Sequence, residues 1–221
     1  ETCALLGFAD NPYDGLLDQY DPGLSSELVD GVFAHLSKEL PKRILALEKN
    51  MPETPFPIAL SKEEQIELGH ELLEWIGFDL SRGRLDKAPH PFCLSMSPND
   101  VRLTYQINEK NPGVFIWAIL HEGGHGLYEQ GLHAEPAGTP LTTAVSLTIH
   151  ESQSRFWENH MGRNLEFWQV VCLEKGWPPN YAEHIWKHAN KVSRSQIRIY
   201  ADELSYHLHI LLRYRIEKGL I

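Results

Sequence analysis

The chain has 221 residues, 42% of them hydrophobic and 23% charged, which suits a globular protein with a sizeable buried core. Its formal net charge of −10 argues against a nucleic-acid binder, which needs a basic face, and against attachment to anionic membranes. The longest apolar run, Val114 to Leu120, falls far short of the ~20 residues that span a bilayer. Three widely spaced cysteines, Cys3, Cys93 and Cys172, predict a reducing, cytoplasmic setting and no disulfide framework.

Residues 1–23 are turn-rich, with Asn11-Pro12, Asp14-Gly15 and Asp21-Pro22-Gly23. A helix is expected from Ser25 or Ser26 to about Asn50, kinked at Pro41. Met51 to Pro57 carries three prolines and reads as an extended connector. Ser61 with Glu64 makes a capping box ahead of a helix that turns Ile66, Leu68, Leu72, Leu73 and Ile76 inward. From Pro89 the period becomes that of strands. His90 to Met96 and Val101 to Ile107, joined by Ser97-Pro98-Asn99-Asp100, predict a short β-hairpin. An edge strand there suits pairing with an extended peptide by β-augmentation; a hairpin that only shields the core is the alternative.

Asn111-Pro112-Gly113 then opens a buried helix, Val114 to Leu120, which runs into His121-Glu122-Gly123-Gly124-His125. Two histidines four apart project from one helix face, about 40° apart, so both imidazoles reach one ion. Glu122, roughly 60° from His125, sits on the shoulder of that face. This is the H-E-x-x-H pattern of zinc peptidases, in which the metal acidifies a water and the Glu takes its proton. Gly123, Gly124 and Gly126 each cost the helix about 1 kcal/mol relative to Ala. Their expected use is to let another backbone, or an extended peptide, approach the metal.

A catalytic zinc takes three protein ligands and keeps one position open. The metzincin extension would put Gly at 128 and His at 131, where this chain has Tyr128 and Gly131. A gluzincin instead takes a Glu from a second helix. Thr139-Pro140 reads as the start of that helix, running through Leu141 to Ile149 into His150-Glu151-Ser152-Gln153-Ser154-Arg155. Glu151 is the expected third ligand, with His150 and His133 as rivals. Arg155, one turn on, is placed to orient the Glu151 carboxylate, or else is an ordinary solvated charge. Tyr128, one turn past His125, is placed to donate to an oxyanion or simply to pack.

Further helices are expected over Asn164 to Glu174, Pro179 to Ala189 and Ser193 to Lys218. The last carries Ile197, Leu204, Leu208, Leu211 and Leu212 at near-helical spacing. On the residues alone, Arg198 and Asp202 read as a surface ion pair four apart, and His184 and His188 as structural.

Four segments in this order resemble the carboxypeptidase Taq family of thermostable metallocarboxypeptidases. Asp100-Val101-Arg102-Leu103-Thr104 is similar to its D-x-R-x-T, His121 to His125 to its zinc helix, and His150 to Arg155 to its H-E-S-x-x-R. Ile197 to Leu204 resembles I-R-x-x-A-D-E-L, although Ile199 stands where the family usually has Ser. The resemblance implies a mainly α-helical, gluzincin-like zinc-peptidase groove with a small β-hairpin or sheet. It implies that residues 1–221 form a single domain, the central catalytic segment of an enzyme about twice as long, with a Gln-Asp and His-Trp motif to follow. The expected activity is release of single residues from the C-terminus of unstructured peptides. His121, His125 and Glu151 would hold Zn²⁺, with Co²⁺ a substitute, and Glu122 would be the catalytic base. Arg198 would bind the substrate's terminal carboxylate, with Asp100, Arg102 and Tyr128 also lining the groove. The expected partner is a peptide substrate, with neither nucleic acid nor membrane, and the whole protein would be a homodimer. Two alternatives stand beside this: an oligo-endopeptidase on the same scaffold, and a catalytically incomplete fragment that binds metal or self-associates.

Overall fold

The computed structural model describes residues 1–8, 10–49, 54–135, 138–198 and 201–221. Its elements in chain order begin with helices α1 (Thr2–Leu6), α2 (Pro12–Leu17), α3 (Ser26–Glu48) and α4 (Lys62–Trp75). Strands β1 (Gly83–Lys87), β2 (Cys93–Ser97) and β3 (Asp100–Tyr105) follow, then α5 (Pro112–Gln130) and α6 (Leu147–Arg155). A π-helical turn, Phe156–Met161, continues α6 directly and leads to α7 (Leu165–Glu174), α8 (Asn180–Ala189) and α9 (Glu203–Leu220). The fold is thus mainly helical with one small sheet, as expected. Among the described residues no helix is long and apolar enough to cross a membrane. The chain divides into two compact units, residues 1–53 with 190–221, and residues 54–189.

The unit of residues 54–189 is built around α5. The Asn111 side chain accepts from the Gly113 N–H at 3.1 Å, and Pro112 occupies the first turn, where a missing donor costs nothing. Phe115, Ile116, Ile119 and Leu120 are essentially fully buried, so α5 has apolar neighbours on several sides. On one side lies α4, opened by the Ser61–Glu64 capping box and contributing Leu68, Leu72, Leu73 and Ile76, with Ile66 only partly buried. On another lies the sheet, ordered β1-β3-β2, through buried Val101, Leu103 and Tyr105 of its central strand.

The expected hairpin is present: β2 pairs antiparallel with β3, with Cys93 opposite Leu103. The parallel strand β1, with Gly83 opposite Val101, went unread because Gly83-Arg84-Leu85-Asp86-Lys87 lacks a β-branched or aromatic residue. In the same unit the indoles of Trp117 and Trp168 both donate to the Gly162 carbonyl, at 2.9 and 2.7 Å, and pin the end of the π turn to α5.

In the unit of residues 1–53 and 190–221, α3 starts behind the Ser25 cap, as predicted, and packs on α9. Leu40, Ile44 and Val192 form its small core with Leu36, Leu204 and Leu208. Two expectations are corrected here. The turn-rich N-terminal stretch holds two short helices, because Asn11 caps α2 through a bond from the Tyr13 N–H. The last helix begins at Glu203 rather than Ser193, because Asp202 acts as its N-cap, accepting from the Leu204 and Ser205 N–H groups. Of the proposed connector, residues 54–57 are non-helical, and Met51 to Glu53 lie outside the described residues, as do Asn50, Ile199 and Tyr200.

Candidate metal centre

Helices α5 and α6 run against each other at backbone distance. A Cβ on Gly124 would lie 2.6 Å from the Gln153 carbonyl oxygen and the Ser154 Cα, so only glycine permits this approach. That close approach was the use expected for the glycines. Gly123 and Gly126 serve differently: they admit side chains, Leu73 and Ile76 at the first, Phe78 and Leu103 at the second. Helix α6 also starts later than predicted. Pro140–Thr142 is an isolated 3₁₀ turn, and Ser146 caps α6 by accepting from the Ile149 N–H at 3.1 Å.

The short α6 carries Glu151 to the two histidines of α5. Glu151 Oε2 lies 3.3 Å from His125 Nε2 and 3.9 Å from His121 Nε2. One ligand atom from each of the three lies within 4.8 Å of the others. Bonds of about 2.0–2.2 Å at a tetrahedral zinc put neighbouring ligand atoms roughly 3.3 Å apart, so the donor set and its spacing fit a divalent ion. The Glu151 side chain is 46% exposed while those of His121 and His125 are 23% and 12%, so the triad opens on the Glu151 side.

The electrostatics treat the two imidazoles differently. Burial, helped by the charges of His121 and His150 and opposed by Glu151, holds the His125 imidazole below its ordinary pKa and favours the neutral form a metal requires. Burial also acts on His121, but the Glu158 hydrogen bond and the charges of Glu158, Glu122 and Glu151 outweigh it and leave His121 raised. Burial pushes Glu151 up, while His125, His121 and Arg155 together bring it below the usual carboxylate range. Glu122 is buried on α5, and burial pushes its carboxyl up to about 7, with Glu151 and Glu158 adding and His121 opposing. Cys93 of β2 faces the same region, its thiol driven up to about 12 by burial and then by Glu122 and Glu129. Such a shift keeps the thiol protonated near neutral pH.

The rivals for third ligand take other roles. His133 is exposed in the loop after α5. His150 stacks on His125, ring centroids 4.4 Å apart and planes at 20°, and its Nε2 meets Glu129 at 2.8 Å. Tyr128 packs its ring edge on His150 at 5.2 Å. Arg155 does not make the expected bond to Glu151: its guanidinium donates to Glu158 at 2.9 Å. Asp100 and Arg102 form a two-bond pair with each other on β3, at 2.7 and 2.8 Å. Arg198 belongs to the other unit, ahead of α9, and donates to the Tyr206 hydroxyl at 2.8 Å. The predicted Arg198–Asp202 pair gives way to Asp202's capping role.

Sequence reasoning missed Glu158 and Glu129. Glu158 Oε2 meets His121 Nδ1 at 2.8 Å, and its other oxygen lies 3.6 Å from Arg163. Burial alone would raise this carboxyl, but His121, Arg155 and Arg163 hold it below the ordinary range. The helical spacing of Glu151, Arg155 and Glu158 was legible, but it places Glu158 on the Glu151 face and gives no sign of its contact with His121.

The family model described as carboxypeptidase Taq (M32) metallopeptidase matches residues 1–221. Carboxypeptidase 1 of Bacillus subtilis is 38% identical over 97% of the chain, and thermostable carboxypeptidase 1 of Thermus thermophilus is 43% identical over 94%. Among solved structures, the M32 carboxypeptidase from Deinococcus radiodurans R1 superposes with a TM-score of 0.88 at 37% identity over 95% of this chain and 44% of that one. The Pyrococcus furiosus carboxypeptidase gives 0.85 at 35% identity over 98% of this chain and 46% of that one. The chain spans only 44% and 42% of the Bacillus and Thermus proteins. Residues 1–221 therefore belong to the carboxypeptidase Taq (M32) metallopeptidase family.

Proposed function

We propose that this chain carries the metal centre of a carboxypeptidase that hydrolyses the C-terminal bond of unstructured peptides, with His121, His125 and Glu151 holding Zn²⁺ or, in substitution, Co²⁺. The observation that carries this reading is the convergence of two imidazoles from α5 and one carboxylate from α6, within 4.8 Å, in a chain of a metallopeptidase family. A divalent ion bound there supplies Lewis acidity, lowering the pKa of a bound water to about 7 and polarising the scissile carbonyl.

The chain's own groups do the rest. Glu122 accepts the proton of the attacking water; a carboxylate in a nearly dry site, with its basicity raised by burial, suits that task. As the water oxygen bonds to the carbonyl carbon and the C–N bond breaks, Glu122 passes the proton to the leaving amine. The β2 strand pairs with β3 on one side only and lies at the sheet edge beside α5, which supports β-augmentation of an extended peptide there. Arg198 is assigned to the substrate's terminal carboxylate on the resemblance of its motif, and a guanidinium recognises carboxylates by paired hydrogen bonds. Asp100, Arg102 and Tyr128 are assigned to the groove on the same ground. The remaining proposals are a cytoplasmic homodimer that engages neither nucleic acid nor membrane. The free state of Cys3, Cys93 and Cys172 and the net charge of −10 support the setting and the missing partners.

The test uses pairs of peptides that differ only in a free or an amidated C-terminus. A carboxypeptidase releases one residue from the free form and none from the amide, and a chelator abolishes the activity until Zn²⁺ is restored. Equal internal cleavage of both forms would make the protein an endopeptidase. Inertness of this chain beside an active longer protein would make it an incomplete fragment.

A further inference from the structure

The partly buried carboxylate of Glu158 is not among the three side chains proposed to bind metal, and it is not the proposed base. We propose that Glu158 is a positioning residue of the metal centre. Delivered by the π-helical turn and clamped by Arg155 and Arg163, it fixes the tautomer and ring orientation of His121 so that Nε2 faces the ion. This rests on the reading of His121, His125 and Glu151 as the metal-binding set.

The two carboxylates reach His121 at opposite nitrogens. Glu151 stands 3.9 Å from Nε2, and Glu158 stands 2.8 Å from Nδ1. An ionised carboxylate only accepts, so the hydrogen bond puts the ring proton on Nδ1 and leaves the Nε2 lone pair for a cation. The turn of helix explains how both arrive. Glu158 follows Glu151 by seven residues, two turns of an α-helix, which would stack it on the same face. The π turn that begins at Phe156 adds a residue to that turn and re-aims the side chains beyond Arg155. Single π turns recur at functional sites for this kind of reason.

Glu158 is itself held fast. The Arg155 guanidinium donates at 2.9 Å to the same oxygen that meets His121, and Arg163 flanks the other at 3.6 Å. Arg163 is fixed in turn by Asn159 Oδ1 at 2.8 Å, by the Ala189 carbonyl and by the Trp117 ring. All three charged side chains are at most 20% exposed. His125 has no such support among the described residues: its Nδ1 is buried with no hydrogen-bond partner there, and its ring lies on His150 instead. The carboxylate therefore singles out one imidazole of the two, and it sets the direction of that imidazole's lone pair.

The experiment compares wild type, E158Q and E158D, with zinc affinity read by competition against a chromophoric chelator. Folding of the zinc-free proteins is read by circular dichroism, and the His121 tautomer by ¹⁵N NMR at a pH where imidazoles are neutral. Wild type should show His121 protonated at Nδ1. E158Q should bind zinc about 10- to 100-fold more weakly, and E158D should recover much of that loss by restoring the charged acceptor. E158Q and wild type binding zinc within twofold of each other would overturn the proposal. So would a wild-type His121 protonated at Nε2, a result that decides the matter even where E158Q fails to fold. Wild type that binds no zinc at all would sink the metal-binding reading along with this one, and that outcome is distinct from equal binding by the two proteins.

Discussion

Adding one methyl group at residue 124 isolates the part of the metal centre that depends on helix spacing. In Gly124→Ala the new Cβ would sit 2.6 Å from the Gln153 oxygen and the Ser154 Cα and 2.9 Å from the Gln153 carbon, where ordinary contact starts at 3.4 Å. These are backbone atoms, so no rotamer change relieves the clash, and α6 must retreat from α5 by at least 3.0 − 2.6 = 0.4 Å, and by 3.4 − 2.6 = 0.8 Å to reach ordinary contact. Glu151 lies less than one turn before the clash and moves with it. Metal–ligand distances tolerate only about 0.2 Å, so the set opens and zinc affinity should fall by tenfold or more, about 1.4 kcal/mol. Stability should change by a net cost of about 0–2 kcal/mol. Overpacking costs about 1–3 kcal/mol, and the helical gain of Ala over Gly returns about 1 kcal/mol. Gly123→Ala is the control: its Cβ meets only Ile76 Cδ1 at 2.7 Å and Leu73 Cδ2 at 2.8 Å, ends of side chains that can rotate away. Chelator competition and thermal unfolding of the zinc-free proteins separate the two effects. Should G124A bind zinc as wild type does, or G123A lose as much, the spacing argument fails.

Replacing Glu122 by Gln should leave zinc affinity near wild type and lower peptide hydrolysis by about 10²- to 10⁴-fold; hydrolysis at the wild-type rate would remove Glu122 from the role of base. The two indoles on the Gly162 carbonyl predict non-additivity. W117F and W168F should each cost about 1 kcal/mol in lost hydrogen bonding beyond any change in packing, and the double variant more than the sum, because the buried carbonyl then loses both donors. Urea unfolding in a double-mutant cycle measures this, and strict additivity would contradict it. Asp79 predicts a pH effect. The Ser81 hydroxyl, Arg82 and the Ser81 N–H depress its carboxyl from 3.8 to about 2. A depressed folded-state pKa stabilises above the unfolded value, so this contribution is present above about pH 4 and disappears as pH falls toward 2. Asp79→Asn should flatten that part of the stability profile, and an unchanged acid limb would show that Asp79 contributes nothing there.

What could be read from the sequence follows from how local each feature is. His121, Glu122 and His125 lie within two turns of one helix, where 3.6-residue periodicity alone fixes which side chains share a face. The capping box at Ser61 and the caps at Ser25, Asn111 and Asn164 were legible for the same reason: each bond spans two or three residues. Glu151 was reachable because a zinc site needs a third donor and few acidic residues stand in a helical context at a workable distance. Where competing caps exist, the first plausible one misled. Thr139-Pro140 reads as a helix start, yet Ser146 is the residue whose side chain accepts from the first turn of α6.

The support of the centre was illegible because it depends on departures from periodicity. Uniform helical geometry extends the Glu151 face to Glu158 and assigns Arg155 to Glu151; the π turn redirects Glu158 toward His121, and Arg155 follows it. A single extra residue in one turn thus exchanges the expected Glu151–Arg155 pair for a partly buried clamp behind the His121 imidazole. Such an insertion leaves no mark in composition or spacing, because its stabilisation comes from partners distant in sequence: Trp117 and Trp168 on the Gly162 carbonyl, Arg163 on Ala189, and His121 itself, 37 residues away from Glu158. The residues proposed for the chemistry on α5 are therefore set by a local repeat, while the residues proposed to aim them are set by tertiary packing. Substitutions in the second group should alter metal affinity with the chemical groups all still in place.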